Sequence, residues 1–434
     1  MTNLLSWGRY PHQPQQSHPI HWAEDVPATL SAISNTTLAF GCGRSYGDSC
    51  LAESNHVVAM SGMNHLIAAD WETGVITVEA GLTLSELTRI ALPHGWFLPV
   101  TPGTQFVTLG GAVANDVHGK NHHVMGTFGR HVSHLTMFRS NEGAVQCSPV
   151  QRSELFAATV GGLGLTGIIL TVTLQLRRVE SNSIDQRSIR FDNLDEFFSL
   201  SKTHDLDHEY TVAWVDCLAK DKNAGRGHFI CGNHAPKGEL KPIKPSGLVV
   251  PIDLPFSLVN PLSLRIFNTF YYHRQQQKDI TSRVAYSPFF YPLDGLQQWN
   301  RIYGQAGFQQ YQCIIPEQQG AEIIRAIMNT IAKSGSGSFL AVLKQCGKIT
   351  SPGWMSFPLH GVSLALDFPQ RAELNTRLFH KLDALVHEAG GRLYPAKDAH
   401  MSSIHFKQAY PEWVKVEAMR DPQLNSQFWR RVTQ

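Results

Sequence analysis

The chain has no cysteine pair at the spacing of a zinc ribbon or a redox disulfide. Its seven cysteines, Cys42, Cys50, Cys147, Cys217, Cys231, Cys313 and Cys346, are odd in number and scattered. A disulfide framework and a structural zinc site are therefore not expected, and reduced thiols in a cytoplasmic enzyme are. An excess of charge is lacking too: 37 Lys and Arg stand against 35 Asp and Glu, spread without a basic stripe. Nothing calls for a nucleic-acid partner. Long apolar runs are missing. The least charged window, Pro245 to Leu264, is interrupted by Asp253 and by Pro251, Pro255 and Pro261, which excludes a membrane span there. The opening residues MTNLLSWGRYPHQPQ have neither the basic start nor the apolar core of a signal peptide. Internal repeats and low-complexity tracts are absent as well.

What the chain does have is glycine in three concentrated places. The stretch Gly41 to Asp48, GCGRSYGD, follows the apolar run Leu38-Ala39-Phe40. Such a loop turns successive backbone N–H groups toward one point and makes a nest for an anion such as a pyrophosphate. Alone it could equally be a hairpin turn. Pro102 to Gly119 and Gly161 to Gly167 are also glycine-rich, and the three together suggest a large phosphate-bearing cofactor. A length of 434 residues suggests two domains.

Local patterns place these segments. Residues 74–80 read as a strand bounded by glycine. Thr83 and Glu86 have capping-box spacing ahead of a helix that Pro93 and Gly95 stop. A second short helix fits Glu154 to Val160 with Ser153 as its N-cap, and Ile168 to Leu176 alternates as a strand. Gly162 to Gly167 matches GxGxxG, but a helix precedes it and a strand follows. A dinucleotide site needs the opposite order, so a Rossmann site is rejected. The apolar residues Phe256, Leu258, Val259, Leu262 and Leu264 are expected in a long loop. It is either a packed surface excursion or a lid in contact with a greasy substrate or a membrane surface.

The densest chemistry lies between. Gly110 to Asn115 is small enough for a flat ring system to lie against its backbone, and His118-Gly119-Lys120-Asn121-His122-His123 concentrates cationic and hydrogen-bonding groups. His118 and His122 are four apart, but Gly119 and the lack of a matching carboxylate or cysteine argue against metal binding. Contact with a substrate or cofactor is the favoured reading.

GCGRSYGD, the PGT turn at Pro102, GGAVANDVHGKNHH and VGGLGLTGI resemble the motifs of the vanillyl-alcohol-oxidase (PCMH) type of FAD-dependent oxidase. Within that superfamily they resemble the decaprenylphosphoryl-ribose 2-oxidase family, which oxidises a ribose hydroxyl of a polyprenyl-phosphate sugar to a ketone. The likeness extends to Thr211–Trp214, Trp299 to Gln312, Ser338 to Lys344 and Arg392 to Asp398, the last containing YPAKD.

The resemblance implies an α+β fold: a two-subdomain FAD-binding domain, and a substrate domain whose antiparallel sheet covers the flavin. The first would be residues 1–178 completed by the tail 398–434, the second 179–397, with a mobile loop at 237–274. It implies that Gly41, Cys42, Gly43, Arg44, Ser45, Tyr46, Gly103, Thr104, Thr108, Gly111, Ala114 and Asn115 surround the pyrophosphate and flavin. Gly167 and Ile168 would contact the adenine side. His118, Lys120, Gln310, Gln312, Lys344 and Lys397 would line the substrate side. Lys397 matches the family's essential lysine and is the candidate cation near flavin N1 and O2. The hydroxyl proton would go to His118 or a neighbouring lysine, and Lys120 or Lys344 would pair with a substrate phosphate. Arg44 stands where related oxidases carry a flavin-linking histidine, which implies non-covalent FAD. The family's cysteine beside the flavin is replaced by Ala365, its neighbouring asparagine by Ser363, and an expected aromatic by Cys346. The implied partners are a sugar or polyprenyl-phosphate sugar, a separate NAD-dependent reductase and a peripheral membrane contact. An aldonolactone or alditol oxidase and a non-enzymatic flavoprotein are the alternatives.

Overall fold

The computed structural model describes residues 3–244 and 247–434. Local sequence signals set the first elements. Val75–Glu79 is a strand, and Thr83 caps the helix Leu84–Ala91 through a reciprocal box with Glu86. Gly95, at φ +80°, ends the 3-10 turn that follows the helix, a conformation open to glycine without a Cβ penalty. Ile168–Gln175 is a strand. The helix Ser153–Thr159 differs in its start: Ser153 is its first helical residue, and Arg152, at φ +48°, is the N-cap without a side-chain cap bond. The glycine-rich 161–167 turn does run from helix to strand.

Besides a two-stranded pairing of Trp96–Phe97 with Arg177–Arg178, three larger sheets organise the described residues. The first orders Asn3–Leu4, Gln15–Pro19, His56–Ala59 and Leu38–Phe40, and its last three strands are parallel. The second is antiparallel, in the order Leu66–Asp70, Val75–Glu79, Ile168–Gln175, Val132–Arg139 and Gly143–Cys147. The third is a large antiparallel sheet. It runs Asp279–Ala285, Ser183–Phe191, Gly227–His234, Tyr210–Val215, Ala341–Cys346, Gly361–Pro369, Phe308–Pro316 and Arg392–Leu393. The fold is thus mixed helix and strand with a large antiparallel sheet.

Alternation along the third sheet gives it two different faces. Tyr311, Cys313, Leu343 and Leu364 join a buried apolar cluster with residues of the helices Glu317–Ser334 and Ala372–Glu388. Gln310, Gln312, Lys344, Ser363 and Ala365 line a cavity on the other side.

The tail returns to the first sheet. Thr37 bridges Leu424 and Ala52 bridges Ser426. Arg431 donates to Asp48 and Asp398 together.

The segment 237–274 is not one loop. Asn260 caps a helix, Pro261–His273, with Pro261 in its first turn. Proline lacks an N–H that the first helical turn leaves unbonded in any case, so Pro261 starts an element rather than interrupting a run. Pro245 and Ser246 of this segment, and Met1 and Thr2, lie outside the described residues.

Candidate active site

The glycine-rich segments meet because they pack on each other. Residues 41–47 leave the end of the parallel strand Leu38–Phe40. A Cβ on Gly41 would lie 2.4 Å from Thr108 Oγ1, and that hydroxyl caps the short helix Leu109–Ala114 by accepting from Gly111 N. Side-chain capping thus fixes the second glycine segment directly against the first. Tyr46 N donates to Ala396 O at 2.9 Å, which ties the first segment to the YPAKD turn. Where they cross, a Cβ on Gly47 would fall 1.7 Å from Asp398 O. Glycine is required there by space alone.

These loops and the polar face of the large sheet enclose one cavity of about 780 Å³. All of Gly41 to Tyr46 line it, as do Gly103, Thr104, Thr108, Gly111, Ala114, Asn115 and Gly167. His118, Lys120, Gln310, Gln312, Lys344 and Lys397 line it too. Ile168 does not: its side chain points into the apolar core, and Ile169, on the other face of the strand, reaches the cavity. Trp214, Tyr271, Arg274 and Phe339 also form an aromatic and cationic part of the wall; the sequence gives none of them a site role, although Trp214 and Phe339 lie in stretches of the family likeness. Their period-two and helical spacings are visible in the sequence, but no local signal says which face meets the cavity.

The cavity is cationic. Lys344 Nζ donates to Gly119 O at 2.7 Å and Lys120 Nζ to Phe290 O at 3.1 Å. Neither ammonium hydrogen bond goes to a carboxylate. Burial lowers the affinity of Lys120 for its proton, bringing its pKa to about 7, with Lys344 adding repulsion. Arg44 stacks 3.9 Å from the Trp7 ring centroid, and its Nε is buried with no hydrogen-bond partner.

Lys397 Nζ lies 3.8 Å from the Tyr46 ring centroid, a cation–π contact. Burial lowers its pKa to about 7, against a raising effect of Asp367 and a further lowering by Arg44. Asp367 is fully buried on the strand Gly361–Pro369, where burial raises its pKa to about 7; Gln310 Nε2 donates to its Oδ1. Its Oδ2 has no hydrogen-bond partner. His118 is held well below its ordinary pKa by burial, then by Lys344, His122 and Lys397. It is therefore neutral at pH 7. Gln312 Nε2 lies 3.4 Å from His118 Nε2, while Nδ1 is buried without a partner. The rings of Phe357 and Tyr394 flank the imidazole, with centroids at 5.5 and 5.6 Å.

Residues 22–148 match the model of the FAD-binding domain family. The chain is 36% identical over 404 residues to decaprenylphosphoryl-β-D-ribose oxidase of Mycolicibacterium smegmatis, covering 89% of this chain and 86% of that protein. It belongs to the decaprenylphosphoryl-ribose oxidase family. A member of this family of FAD-binding oxidases is an FAD-dependent oxidoreductase. Bovine L-gulonolactone oxidase is 30% identical over 172 residues, 39% of this chain and 38% of that protein. A protein of Neurospora crassa named "Putative D-arabinono-1,4-lactone oxidase" is similar over 31% of this chain and 24% of that protein, at 31% identity.

The residues present fit FAD. The cavity edge at Gly103 has no atom within 4 Å of where a Cβ would sit, so backbone can approach a flat or phosphorylated group closely. The unpartnered Arg44 Nε is a buried donor of the kind a pyrophosphate satisfies.

Proposed function

We propose that this oxidase removes hydrogen from a secondary sugar hydroxyl, the 2-OH of a polyprenyl-phosphate pentose, and leaves a 2-keto sugar. The observation carrying this reading is the joint presence of neutral His118, Lys397 and two further lysines, Lys120 and Lys344, around one cavity. Bound FAD, which we take to be non-covalent because Arg44 occupies the place of a linking histidine, supplies the hydride acceptor. In this reading residues 1–178 with the tail hold FAD, and 179–397 present the substrate.

His118 Nε2 takes the hydroxyl proton. Burial and neighbouring cations keep this ring unprotonated, so it has an acceptor to offer at neutral pH. Gln312 Nε2 lies 3.4 Å from that nitrogen, and the substrate hydroxyl takes over this position when His118 accepts its proton. Lys397 places positive charge in a site sheltered from water, where a fixed ammonium stabilises developing negative charge most strongly. Lys120 and Lys344 meet the substrate phosphate as point charges. The aromatic wall of Trp214, Tyr271 and Phe339 suits the first prenyl carbons better than a polyol. Similarity to the lactone oxidases covers under half of each chain, whereas the family likeness covers both the N-terminal loops and the large sheet.

Anaerobic mixing tests the assignment. A polyprenyl-phosphate pentose, or a short-chain analogue of it, is expected to bleach the flavin absorbance, while L-gulonolactone and alditols leave it yellow. Bleaching by the polyols alone would transfer the chain to the lactone-oxidase reading.

A further inference from the structure

Four residues apart, His204 and His208 stand one helical turn from each other. His204 ends the helix Leu194–His204, and His208 N donates to His204 O at 3.1 Å, so the helical path continues for one more turn. That spacing puts both imidazoles on one side. The strand Gly227–His234 brings a third group to them. Ile230 lines the cavity, so Cys231, next in the strand, faces the other way, into the apolar layer under the helices. A ring nitrogen of each histidine and the Cys231 Sγ all lie within 4.8 Å of one another. Two imidazoles and a thiol are a donor set that zinc takes. Ligands of one zinc ion stand roughly 3.5 Å apart, a separation that small side-chain rotations reach. His204 and Cys231 are buried and His208 is half-buried, which leaves an entry path on the His208 side.

The surroundings favour a cation. Asp205, beside His204, accepts from Ser201 through Oδ2, while its Oδ1 is buried without a hydrogen-bond partner. Burial pushes the Cys231 thiol up to about 12; Arg187 opposes this, and Asp279 and Asp205 add to it. Arg187, opposite Cys231 in the neighbouring strand, is paired with Asp279, which offsets its charge.

We propose that His204, His208 and Cys231 bind one zinc ion, or another borderline-soft divalent cation, with water in the fourth position. Binding sends the Cys231 thiol proton to solvent as the Zn–S bond forms, with no change of oxidation state. No CxxC spacing marks this site, because strand packing and not sequence proximity carries the cysteine to the histidines. The ion ties the helix end to the sheet behind the active site. His208 O accepts from His123 Nε2 at 2.9 Å, and Lys120 O from Thr211 N at 3.0 Å. The turn that zinc fixes is thus next to the residues that hold the His118 to His123 segment in place.

Zinc titration of the untagged, flavin-loaded protein after chelator treatment tests this. Calorimetry should show one ion per chain with a Kd of about 1 μM or tighter, and Mg²⁺, which requires oxygen ligands, should give no heat. Cobalt in place of zinc should add a thiolate-to-metal charge-transfer band to the difference spectrum against the metal-free form. Cys231→Ala should abolish that band, and His208→Gln should weaken zinc binding about tenfold or more. His208 is half-buried, so His208→Gln keeps the flavin spectrum and the metal-free melting temperature of the wild type. It reports on the site even where Cys231→Ala fails to fold. A wild type that takes up no zinc, or equal zinc affinity in wild type and His208→Gln, overturns the proposal. So does a cobalt band that survives Cys231→Ala, because the thiolate would then be another one.

Discussion

Position 397 holds a lysine that its surroundings make reluctant to be charged. Burial draws its pKa down to about 7, and the nearby Asp367 works in the opposite direction. An ammonium exists below its pKa and is lost above it. A rate that needs the charged form therefore falls as pH rises through about 7, and kcat/KM plotted against pH should show that limb. His118 contributes no acid limb near its ordinary pKa, because it is already neutral there. Asp367→Asn removes the carboxylate that supports the cation, so the limb moves to lower pH. A profile unmoved by this change would assign the limb to another group. Lys397→Met should cost about 10² to 10⁴ in kcat, the range of a lost electrostatic or proton-handling group. A second prediction concerns thiols. Ala365 faces the cavity where relatives are expected to carry a cysteine, so Ala365→Cys should create a site that electrophiles label. The wild-type cavity is not free of thiols, however. Cys42 and Cys50 also line it; burial raises the pKa of both, that of Cys50 to about 12, so Cys42 is the more reactive. Mass spectrometry of the wild type should find slow labelling at Cys42 that disappears when FAD is bound, and no other cavity adduct.

At the scale of elements, two glycines separate packing from binding. Gly47→Ala drives a Cβ into the Asp398 carbonyl, an approach of 1.7 Å that backbone must yield to. A loss of about 2–4 kcal/mol in unfolding free energy is expected, with flavin content falling in parallel. Gly103→Ala meets no atom within 4 Å, so the apoprotein should keep its stability to within about 0.5 kcal/mol. Only its hold on FAD should weaken, measured by titration of flavin fluorescence. The elements differ in how far the sequence exposed them. The Thr83–Glu86 box was legible because both partners lie within one turn, and the convergence of Gly41 to Tyr46 with Gly103 to His118 was legible through the family likeness. The helix at Pro261 was not: its prolines read as breaks, although Asn260 ahead of Pro261 is a start signal. Gln310, Gln312, Lys344 and Ala365 came from the likeness as well; that they share one sheet face depends on register between strands far apart in the chain.

Over the whole molecule, the contacts least visible in the sequence are those that close it. Arg431, from the last helix, binds Asp48 beside the first glycine loop and Asp398 beside Lys397. Although burial raises the Asp398 carboxyl, Arg431 and His400 hold it below the ordinary range. A depressed carboxylate pKa contributes stability above its unfolded value, near 3.9, and loses it as pH falls through the native one. Arg431→Met leaves two buried carboxylates facing each other, at a cost of about 3 kcal/mol at pH 7, reduced from a fully buried case by the partial exposure of the guanidinium. The difference in denaturation midpoint between wild type and variant should shrink toward pH 3. A variant equally deficient at pH 3 and 7 would mean lost packing, not lost charge.

The same closure bears on the cofactor. The cavity takes its walls from the 41–46 loop, the 103–119 segment, the large sheet and the 394–397 turn, and Arg431 joins the bases of the first and the last of these through Asp48 and Asp398. A dissociable ligand that binds only the folded chain stabilises it by mass action, about 2.7 kcal/mol at a hundredfold excess over Kd. The melting temperature of the purified protein should then climb with added FAD, and acid precipitation should leave the yellow colour in the supernatant. A covalently held flavin predicts the opposite on both counts: a midpoint indifferent to free FAD and a yellow pellet. The first outcome is the one proposed, because Arg44, a guanidinium held over Trp7, can pair with phosphate and itself offers no nucleophile to form the link.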